Sequence, residues 1–339
     1  MERVLVTGAT GFIALHCIQQ LLDMGYQVRG TLRSEKRKSE VRDAMQKHSS
    51  NHENLELVMT DLLNDEGWDE AVEGCDYVLH VASPFVLIEP DNEDDLIRPA
   101  VEGSLRVLRT CSGTNVKKVV LTSSFAAIGY GHDKEIYDET DWSIPSTANG
   151  TIGAYATSKT NAEKAAWDYV SDLSEKDKFD FTVINPVAVT GPMLSEDIGT
   201  SNSMFIQLCD GSMPACPRIH IGFVDVRDVA KAHIFAMKSE ATNGERIIVS
   251  QKEMFFSELG QVLRNAGYKK APTREMPNFL VKFLALFIKE LGGLKRSLGH
   301  TVFADKSKAK KLFNWEYVSA EDSAIETAEQ LQSMGLISK

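Results

Sequence analysis

The sequence predicts an α/β protein built on a doubly wound parallel sheet, and three observations support this prediction. Short, almost continuously apolar runs recur along the first half of the chain, as expected for strands buried on both faces. Segments with helical spacing separate these runs, which favours parallel β-α-β units. A turn with two glycines, at residues 7–14, joins the first strand to the first helix. In open α/β folds, such a turn lies where phosphate groups bind.

The predicted elements alternate in a regular order. The first helix has apolar residues at three- and four-residue spacing, including Ile13, Cys17 and Leu21. Residues 34–53 are predicted as helix and loop, 186–218 as a loop or short helix, and those beyond 250 as mostly helical. Weak periodicity at 125–153 predicts one wall of a pocket. Strands are predicted at 4–6, 25–33, 55–60, 77–81, 118–122, 181–185, 221–224 and 246–249, and further helices at 94–112, from Tyr155 onward and from Asp225 onward.

The composition is that of an ordinary globular protein and disfavours several partners. The 339 residues are 43% hydrophobic and 25% charged, with a net charge of −11, which disfavours nucleic acid and anionic membranes. Five cysteines without a Cys-x-x-Cys pair indicate a reduced, cytoplasmic setting and no metal site. No leader segment is expected, because the first strand begins almost at Met1. The apolar tract 279–288 is shorter than the roughly 20 residues that a membrane span requires.

The glycine turn has the features of a phosphate-binding site. The first N–H groups of the following helix and the helix dipole together attract an anion. Gly8 and Gly11 let the backbone approach a phosphate, and Ala14 allows the helix to pack closely on the sheet. Taken alone, the turn is equally consistent with an ordinary tight turn, so the prediction depends on the residues that follow it.

The end of the second strand indicates which dinucleotide binds. An acidic residue there binds the ribose 2′-OH of NADH, whereas a basic residue accommodates the 2′-phosphate of NADPH. This strand ends in Arg33, followed by Lys36, Arg37 and Lys38, and a guanidinium can bind a phosphate through two hydrogen bonds. The sequence therefore favours NADPH, with solvent exposure of these basic residues as the alternative. Asp61, just past the third strand, can accept a hydrogen bond from the adenine amino group.

The order of the elements also predicts two units. Residues 1–185 with about 220–250 are expected to form a Rossmann-type NADP-binding domain. Residues of about 186–219 with 251–339 are expected to form a smaller, mostly C-terminal substrate-binding lobe.

Ser124, Tyr155 and Lys159 form an acid–base set suited to carbonyl reduction. Hydride delivery to a carbonyl carbon creates an alkoxide that needs a proton, and tyrosine has an ordinary pKa of about 10. A lysine ammonium one helical turn away is expected to lower that pKa. Lys159 can also bind the nicotinamide ribose, and Ser124 can orient and polarise the carbonyl oxygen. Tyr-x-x-x-Lys arises often by chance, but its place after the glycine turn and the serines of the fifth strand makes it specific.

Several motifs together resemble the extended short-chain dehydrogenase/reductases, in their dihydroflavonol 4-reductase-like branch. The resemblance covers nearly the whole chain. It rests on residues 4–14, 28–33, 80–84, 121–124, 155–159, 185–186 and 224–228. It implies that Tyr155 is the proton donor, that Lys159 binds the ribose and that Ser124 holds the substrate oxygen. A one-residue misalignment would give this last role to Ser123.

The resemblance also implies a set of cofactor contacts, which extends from the glycine turn to the sixth strand. These residues are Gly8, Gly11, Phe12, Ile13, Arg33, Arg37, Asp61, Leu62, Ala82, Tyr155, Lys159, Pro186 and Val189.

Departures from the plant enzymes of this branch limit the substrate. Plant flavonoid reductases carry an asparagine-containing stretch where this chain has residues 125–130, and cinnamoyl-CoA reductases carry Asn-Trp-Tyr-Cys-Tyr where it has 151–155. The chain is more similar to microbial aldehyde and ketone reductases, including the methylglyoxal reductase type. We expect NADPH-dependent reduction of an aldehyde, ketone or keto ester to a chiral alcohol, by a monomer or homodimer. An apolar substrate arm would suit walls formed by Phe85, Phe125, Tyr130, Met204, Phe205 and Met213, although ordinary core packing is an equal alternative for each.

Three other functions remain open from the sequence. A sugar-nucleotide epimerase or dehydratase shares the fold, but it usually holds NAD and needs basic residues for a diphosphate in the second half of the chain. Only Arg218 is an arginine within residues 186–219. A non-catalytic NADP-sensing regulator usually lacks the Tyr/Lys pair. The motifs do not separate a steroid dehydrogenase from the favoured reductase.

Overall fold

The computed structural model describes residues 1–84, 90, 92–132, 134–147, 150–196, 198–287 and 297–339. Its strands are β1 Arg3–Val6, β2 Gln27–Leu32, β3 Leu55–Met59, β4 Tyr77–His80, β5 Lys118–Thr122, β6 Ile136–Tyr137, β7 Ser146–Thr147, β8 Gly150–Thr151, β9 Asp180–Pro186, β10 Ala188–Thr190, β11 Cys216–Pro217, β12 His220–Asp225, β13 Arg246–Val249, β14 Lys252–Phe255, β15 Glu275–Met276 and β16 Phe303–Ala304. Its helices are α1 Phe12–Asp23, α2 Lys38–His48, α3 Trp68–Val72, α4 Asp94–Cys111, α5 Ala154–Ser171, α6 Thr200–Asp210, α7 Val226–Lys238, α8 Phe256–Asn265, α9 Asn278–Leu284, α10 Ser307–Leu312 and α11 Ala320–Ser333.

Seven parallel strands form the main sheet, in the order β13-β9-β5-β4-β1-β2-β3. The chain begins in the middle of the sheet at β1, moves outward to β3, and then returns to β4 and continues to β13. This reversal is the arrangement that dinucleotide-binding folds share, and it leaves a crevice beyond the carboxyl ends of β1 and β4. The predicted doubly wound parallel sheet is therefore confirmed.

Alternating residues of each strand enter two apolar cores, one on each face of the sheet. Val4 and Val6 belong to the core under α1 and α7, and Leu5 belongs to the core under α3, α4 and α5. Because both faces are covered, the strands need apolar residues at successive positions. This requirement explains the continuous runs in the sequence. Helix α1 ends where Gly25 takes a φ of +84° and its N–H donates to the Leu22 carbonyl.

A second, three-stranded sheet lies outside the main one, with the order β10-β12-β14. Side chains of α6, α8 and α11 pack on it in a separate core that includes Phe205, Leu259 and Leu331. The segment 186–218, predicted as a loop or short helix, contains β10, α6 and β11, and the mostly helical region after 250 also contains β14, β15 and β16. Strand β12 covers the predicted strand at 221–224, but it pairs with β10 and β14 rather than with the main sheet.

Candidate active site

The glycine turn forms a close-fitting cradle at the N-terminus of α1. Gly8 has a φ of +71°, and a Cβ there would lie 3.0 Å from the Ala82 Cβ. The Gly11 N–H donates to the Gly8 carbonyl oxygen over 2.8 Å, and Gly11 precedes α1 without any side-chain cap. The first N–H groups of α1, at Phe12 and Ile13, therefore have no capping side chain. This arrangement fits the pyrophosphate of a dinucleotide.

Thr7 fixes the cradle to the end of β4. The Ala82 N–H donates to the Thr7 Oγ1 over 2.9 Å, and this hydroxyl also hydrogen-bonds the His80 Nδ1 over 2.9 Å. His80 is fully buried, and its Nε2 has no hydrogen-bond partner in the described part of the chain. Burial lowers the pKa of His80 to about 3, with a further contribution from the positive charge of Lys159. His80 is therefore a neutral imidazole beside Lys159 at physiological pH.

The two arginines expected at the 2′-phosphate differ in their surroundings. Arg33 is exposed at the end of β2, and no carboxylate pairs with it among the described residues. The Arg37 guanidinium instead forms a bidentate pair with Glu40, with both N–O distances at 2.7 Å. Hydrogen bonding to Arg37 lowers the pKa of Glu40, and a hydrogen bond to Ser195 contributes to the same shift. Arg37 would have to share or leave this pair to bind a phosphate.

The remaining expected cofactor contacts lie just past β3, at the end of β9 and in β10. Asp61 accepts a hydrogen bond from the Leu63 N–H over 2.9 Å, and Leu62 packs against Gly103 of α4. Pro186 ends β9 and is buried, and Val189 is 7% exposed in β10. Gly199, just before α6, lies against the Phe12 ring.

Ser124 and Tyr155 are brought together by the structure. Ser124 precedes a short 3-10 turn, Phe125–Ala127, and its Oγ accepts a hydrogen bond from the Ala126 N–H over 3.1 Å. Tyr155 lies in the first turn of α5, and the two hydroxyls form a hydrogen bond. The adjacent Ser123 has a different partner, because its Oγ donates to Glu163 Oε2 over 2.5 Å. Of the two serines, Ser124 is therefore the one beside the phenol.

The pKa values of the site differ from the sequence-based expectation in one respect. Burial raises the pKa of Tyr155, the hydrogen bond with Ser124 partly offsets this rise, and Tyr130 adds to it. The expectation of a lowered pKa for this phenol is wrong, because its desolvation on burial raises the pKa. Burial also lowers the pKa of Lys159 to about 8, against the raising effect of Glu163. At neutral pH the phenol keeps its proton and most of the lysine is charged.

The side chains expected to line the substrate pocket lie in different environments. Phe205 is fully buried in the core of α6, α8 and α11, so core packing accounts for it. Phe125 is 9% exposed and contacts Tyr137 edge to face, while Tyr130 lies beside Tyr155. Met204 and Met213 are partly buried on the same core as Phe205. Phe85 and the end of the apolar tract, at residue 288, fall outside the described residues.

Two searches of the described residues bear on metals and membranes. Within the ranges given above, no three His, Cys, Asp or Glu side chains are grouped as a metal site would require. Nor does any helix in that part of the chain combine the length and apolarity needed to cross a membrane.

Comparison with known proteins decides the family. Residues 4–250 match the model of the NAD dependent epimerase/dehydratase family. The chain belongs to this family. The match confirms the resemblance to extended short-chain dehydrogenase/reductases, and the relatives below agree with the dihydroflavonol 4-reductase-like branch.

Three similar proteins illustrate this branch. The chain is similar to the NADPH-dependent methylglyoxal reductase GRE2 of Saccharomyces cerevisiae, with 32% identity over 349 aligned residues. The alignment covers 97% of each protein. It is 36% identical over 266 residues to the cinnamoyl-CoA reductase CAD2 of Medicago truncatula, with 77% of this chain and 79% of the relative covered. This chain also resembles a crystal structure of the yeast methylglyoxal/isovaleraldehyde reductase Gre2 complexed with NADPH. The two structures superpose with a TM-score of 0.81 at 28% identity, and the match covers 99% of this chain and 100% of the other.

Three residues at this site were given no role by sequence reasoning. Glu163 lies one turn after Lys159 on α5 and is 1% exposed, Glu40 pairs with Arg37, and His80 lies beside Lys159. The i,i+4 spacing of Lys159 and Glu163 was a usable signal, because it places both side chains on one helix face. The roles of Glu40 and His80 depend on contacts between distant segments, for which the sequence had no local signal.

Proposed function

We propose that this chain reduces aldehydes, ketones or keto esters to chiral alcohols with NADPH, by Ser-Tyr-Lys acid–base catalysis. As an extended short-chain dehydrogenase/reductase with NADPH-dependent reductases among its relatives, it is an NADP-dependent oxidoreductase. The carbonyl substrate and the roles of the three residues are our proposal.

The hydrogen bond between Ser124 and Tyr155, at the carboxyl edge of the sheet, is the single observation that supports this mechanism most strongly. Both hydroxyls lie at the ends of elements that border the crevice, β5 and α5. Lys159 follows one helical turn later, and the uncapped N-terminus of α1 lies across the same edge. These positions support the proposal that the three side chains and the cofactor act at one site.

The three residues have separate roles in the proposed reaction. The Ser124 hydroxyl binds and polarises the carbonyl oxygen of the substrate. NADPH, held at the glycine turn, would supply the hydride for the carbonyl carbon. Tyr155 gives its phenolic proton to the same oxygen, and its raised pKa suits a donor in the direction of reduction, because the phenol stays protonated at neutral pH. Lys159 binds the nicotinamide ribose and keeps a positive charge near the phenol.

Our proposal gives the two units the roles expected from the sequence. We propose that residues 1–185 with about 220–250 bind NADP, and that about 186–219 with 251–339 shape the substrate pocket. In this proposal the small sheet and the α6, α8 and α11 core provide the frame for that pocket. The setting we propose is the reduced cytoplasm, where the five buried thiols persist. The proposed partner is a small carbonyl compound, without nucleic acid or membrane, bound to a monomer or homodimer.

A turnover assay tests the proposed function. The purified chain is mixed with NADPH and a panel of methylglyoxal, branched aliphatic aldehydes, aromatic ketones and β-keto esters, and the loss of NADPH absorbance is followed. We expect turnover with at least one carbonyl class, slower turnover with NADH, and an alcohol as the only product formed from the carbonyl substrate. Tight binding of NADPH without turnover on any substrate would instead support a sensor.

A further inference from the structure

Glu163 is a charged residue buried at the centre of a polar cluster next to the proposed catalytic residues. It lies on α5, one turn after Lys159, and is 1% exposed. Its Oε2 accepts hydrogen bonds from the Ser123 hydroxyl over 2.5 Å and the Asn185 amide over 2.8 Å. Its Oε1 accepts from Arg246 Nε over 2.5 Å and, at 3.4 Å, from Trp167 Nε1. A buried carboxylate with this number of donors is held in one position.

The donors come from neighbouring strands of the main sheet. Ser123 directly precedes Ser124 at the end of β5, and its N–H donates to the Ile184 carbonyl over 2.8 Å. Asn185, near the end of β9, donates to the Ser124 carbonyl over 3.3 Å as well as to Glu163. The carboxylate therefore joins α5, with Tyr155 and Lys159, to the backbone that carries Ser124.

Arg246 supplies the balancing charge from β13. Its guanidinium stacks on Trp142, with 3.6 Å between the guanidinium carbon and the ring centre. Its Nη1 donates to the carbonyl oxygens of Glu139 and Asp141 over 2.8 and 2.6 Å. Because the pair is buried and both partners are hydrogen-bonded, removal of either charge leaves the other uncompensated.

We propose that Glu163 is a positioning residue, which joins α5, the helix of Tyr155 and Lys159, to the backbone that carries Ser124 and so fixes their catalytic arrangement. In this position its carboxylate also favours the charged form of Lys159. The proposal rests on the proposed function, because it assumes that Ser124 and Lys159 act in turnover. The Glu163 carboxylate is buried among these donors, so we do not assign it a contact with the substrate. Glu163 acts through its hydrogen bonds with Ser123 and Asn185, and through the attraction between its carboxylate and the Lys159 ammonium on the same helix.

The charges around Lys159 make this role measurable. The titratable neighbours are His80 from β4, and Tyr155 and Glu163 on the same helix, with Arg246 behind Glu163 and Tyr130 beside Tyr155. His80 is neutral above a pH of about 3, and burial raises the pKa of each phenol. Lys159 is therefore the group expected to titrate near pH 8, and Glu163 is the charge that raises its pKa.

The first experiment measures kcat/KM for NADPH against pH, which reports the ionisation of the free enzyme. Glu163→Gln should move the alkaline limb to lower pH by about one unit, because the carboxylate that favours the ammonium is gone. Glu163→Asp keeps a carboxylate, so its alkaline limb should return most of the way to the wild-type position. Glu102→Gln is the matched control, since Glu102 pairs with Arg109 on the exposed face of α4, and its profile should match that of the wild type.

Two results would overturn the proposal. One is a pH profile of kcat/KM for Glu163→Gln whose alkaline limb coincides with that of the wild type, even if kcat/KM is lower at every pH. The other comes from Ser123→Ala, which decides the matter if Glu163→Gln does not fold. We expect Ser123→Ala to lower kcat about tenfold, with the alkaline limb and NADPH affinity unchanged, because a hydrogen bond to a charged group is lost beside Ser124. Wild-type kcat in a folded Ser123→Ala variant would contradict the positioning role.

The outcome can be separated from failure of the proposed function. If Tyr155→Phe retains wild-type turnover, the mechanism itself is wrong, whatever Glu163 does. If Tyr155→Phe is inactive and the Glu163→Gln profile is unshifted, only the positioning role of Glu163 is lost.

Discussion

Arg33 provides the sharpest test of how this chain selects NADPH. The Arg33→Ala substitution removes a guanidinium at the end of β2, which is exposed and without a carboxylate partner in the described residues. A hydrogen bond to a charged group is worth about 1.5–3 kcal/mol, which corresponds to roughly a 10- to 150-fold change in a dissociation constant. Because Arg33 forms no ion pair with any of the described residues, we expect an increase in the NADPH dissociation constant within this range.

The neighbouring Arg37 should respond less. Its guanidinium already binds Glu40 through two contacts of 2.7 Å, so binding of a phosphate must compete with that carboxylate. Arg37→Ala therefore loses only the difference between the two interactions, and we expect an effect of about tenfold or less.

The assay is a fluorescence titration of each variant with NADPH and, separately, with NADH. NADH lacks the 2′-phosphate, so its dissociation constant should change less than about threefold in Arg33→Ala. Arg42→Ala is the matched control, because it removes an exposed positive charge from α2 at a position with no expected cofactor contact. Equal losses of affinity for NADPH and NADH in Arg33→Ala would refute the idea that this residue recognises the 2′-phosphate.

Two further predictions concern pH and metals. Since burial lowers the pKa of Lys159 to about 8, its ammonium is present below that pH and is lost above it, so kcat/KM for NADPH should fall above pH 8. A profile that stays flat up to about pH 10 would contradict this assignment. Chelators should leave the rate of carbonyl reduction unchanged, because the acid–base chemistry is assigned to side chains, and inhibition that added metal reverses would point to a metal site.

The fold was predictable because its signals are local. Continuous apolar runs at β1, β4 and β5 indicate strands buried on both faces, and the glycine turn before α1 indicates where the sheet binds a phosphate. Tyr155 and Lys159 were identified by their spacing on one helix, together with their distance from the glycine turn.

The missed features depend on contacts between distant parts of the chain. Strand β10 follows β9 after the single residue Val187, and its pairing with β12 separates it from the main sheet. The pKa of Tyr155 could not be deduced from the nearby lysine alone, since burial of the phenol depends on the packing around it. A glutamate on a helix is typical of a solvent-exposed position. Only the folded chain brings Ser123, Asn185 and Arg246 around Glu163.

The most direct test of the account is the turnover of Tyr155→Phe with NADPH and the best carbonyl substrate of the panel. The substitution removes the phenolic hydroxyl that hydrogen-bonds Ser124 and keeps the ring. Loss of a general acid costs about 10²- to 10⁴-fold in rate, so we predict a fall in kcat of this size with NADPH affinity within a few-fold of the wild type. Turnover at the wild-type rate would contradict the claim that this phenol supplies the proton.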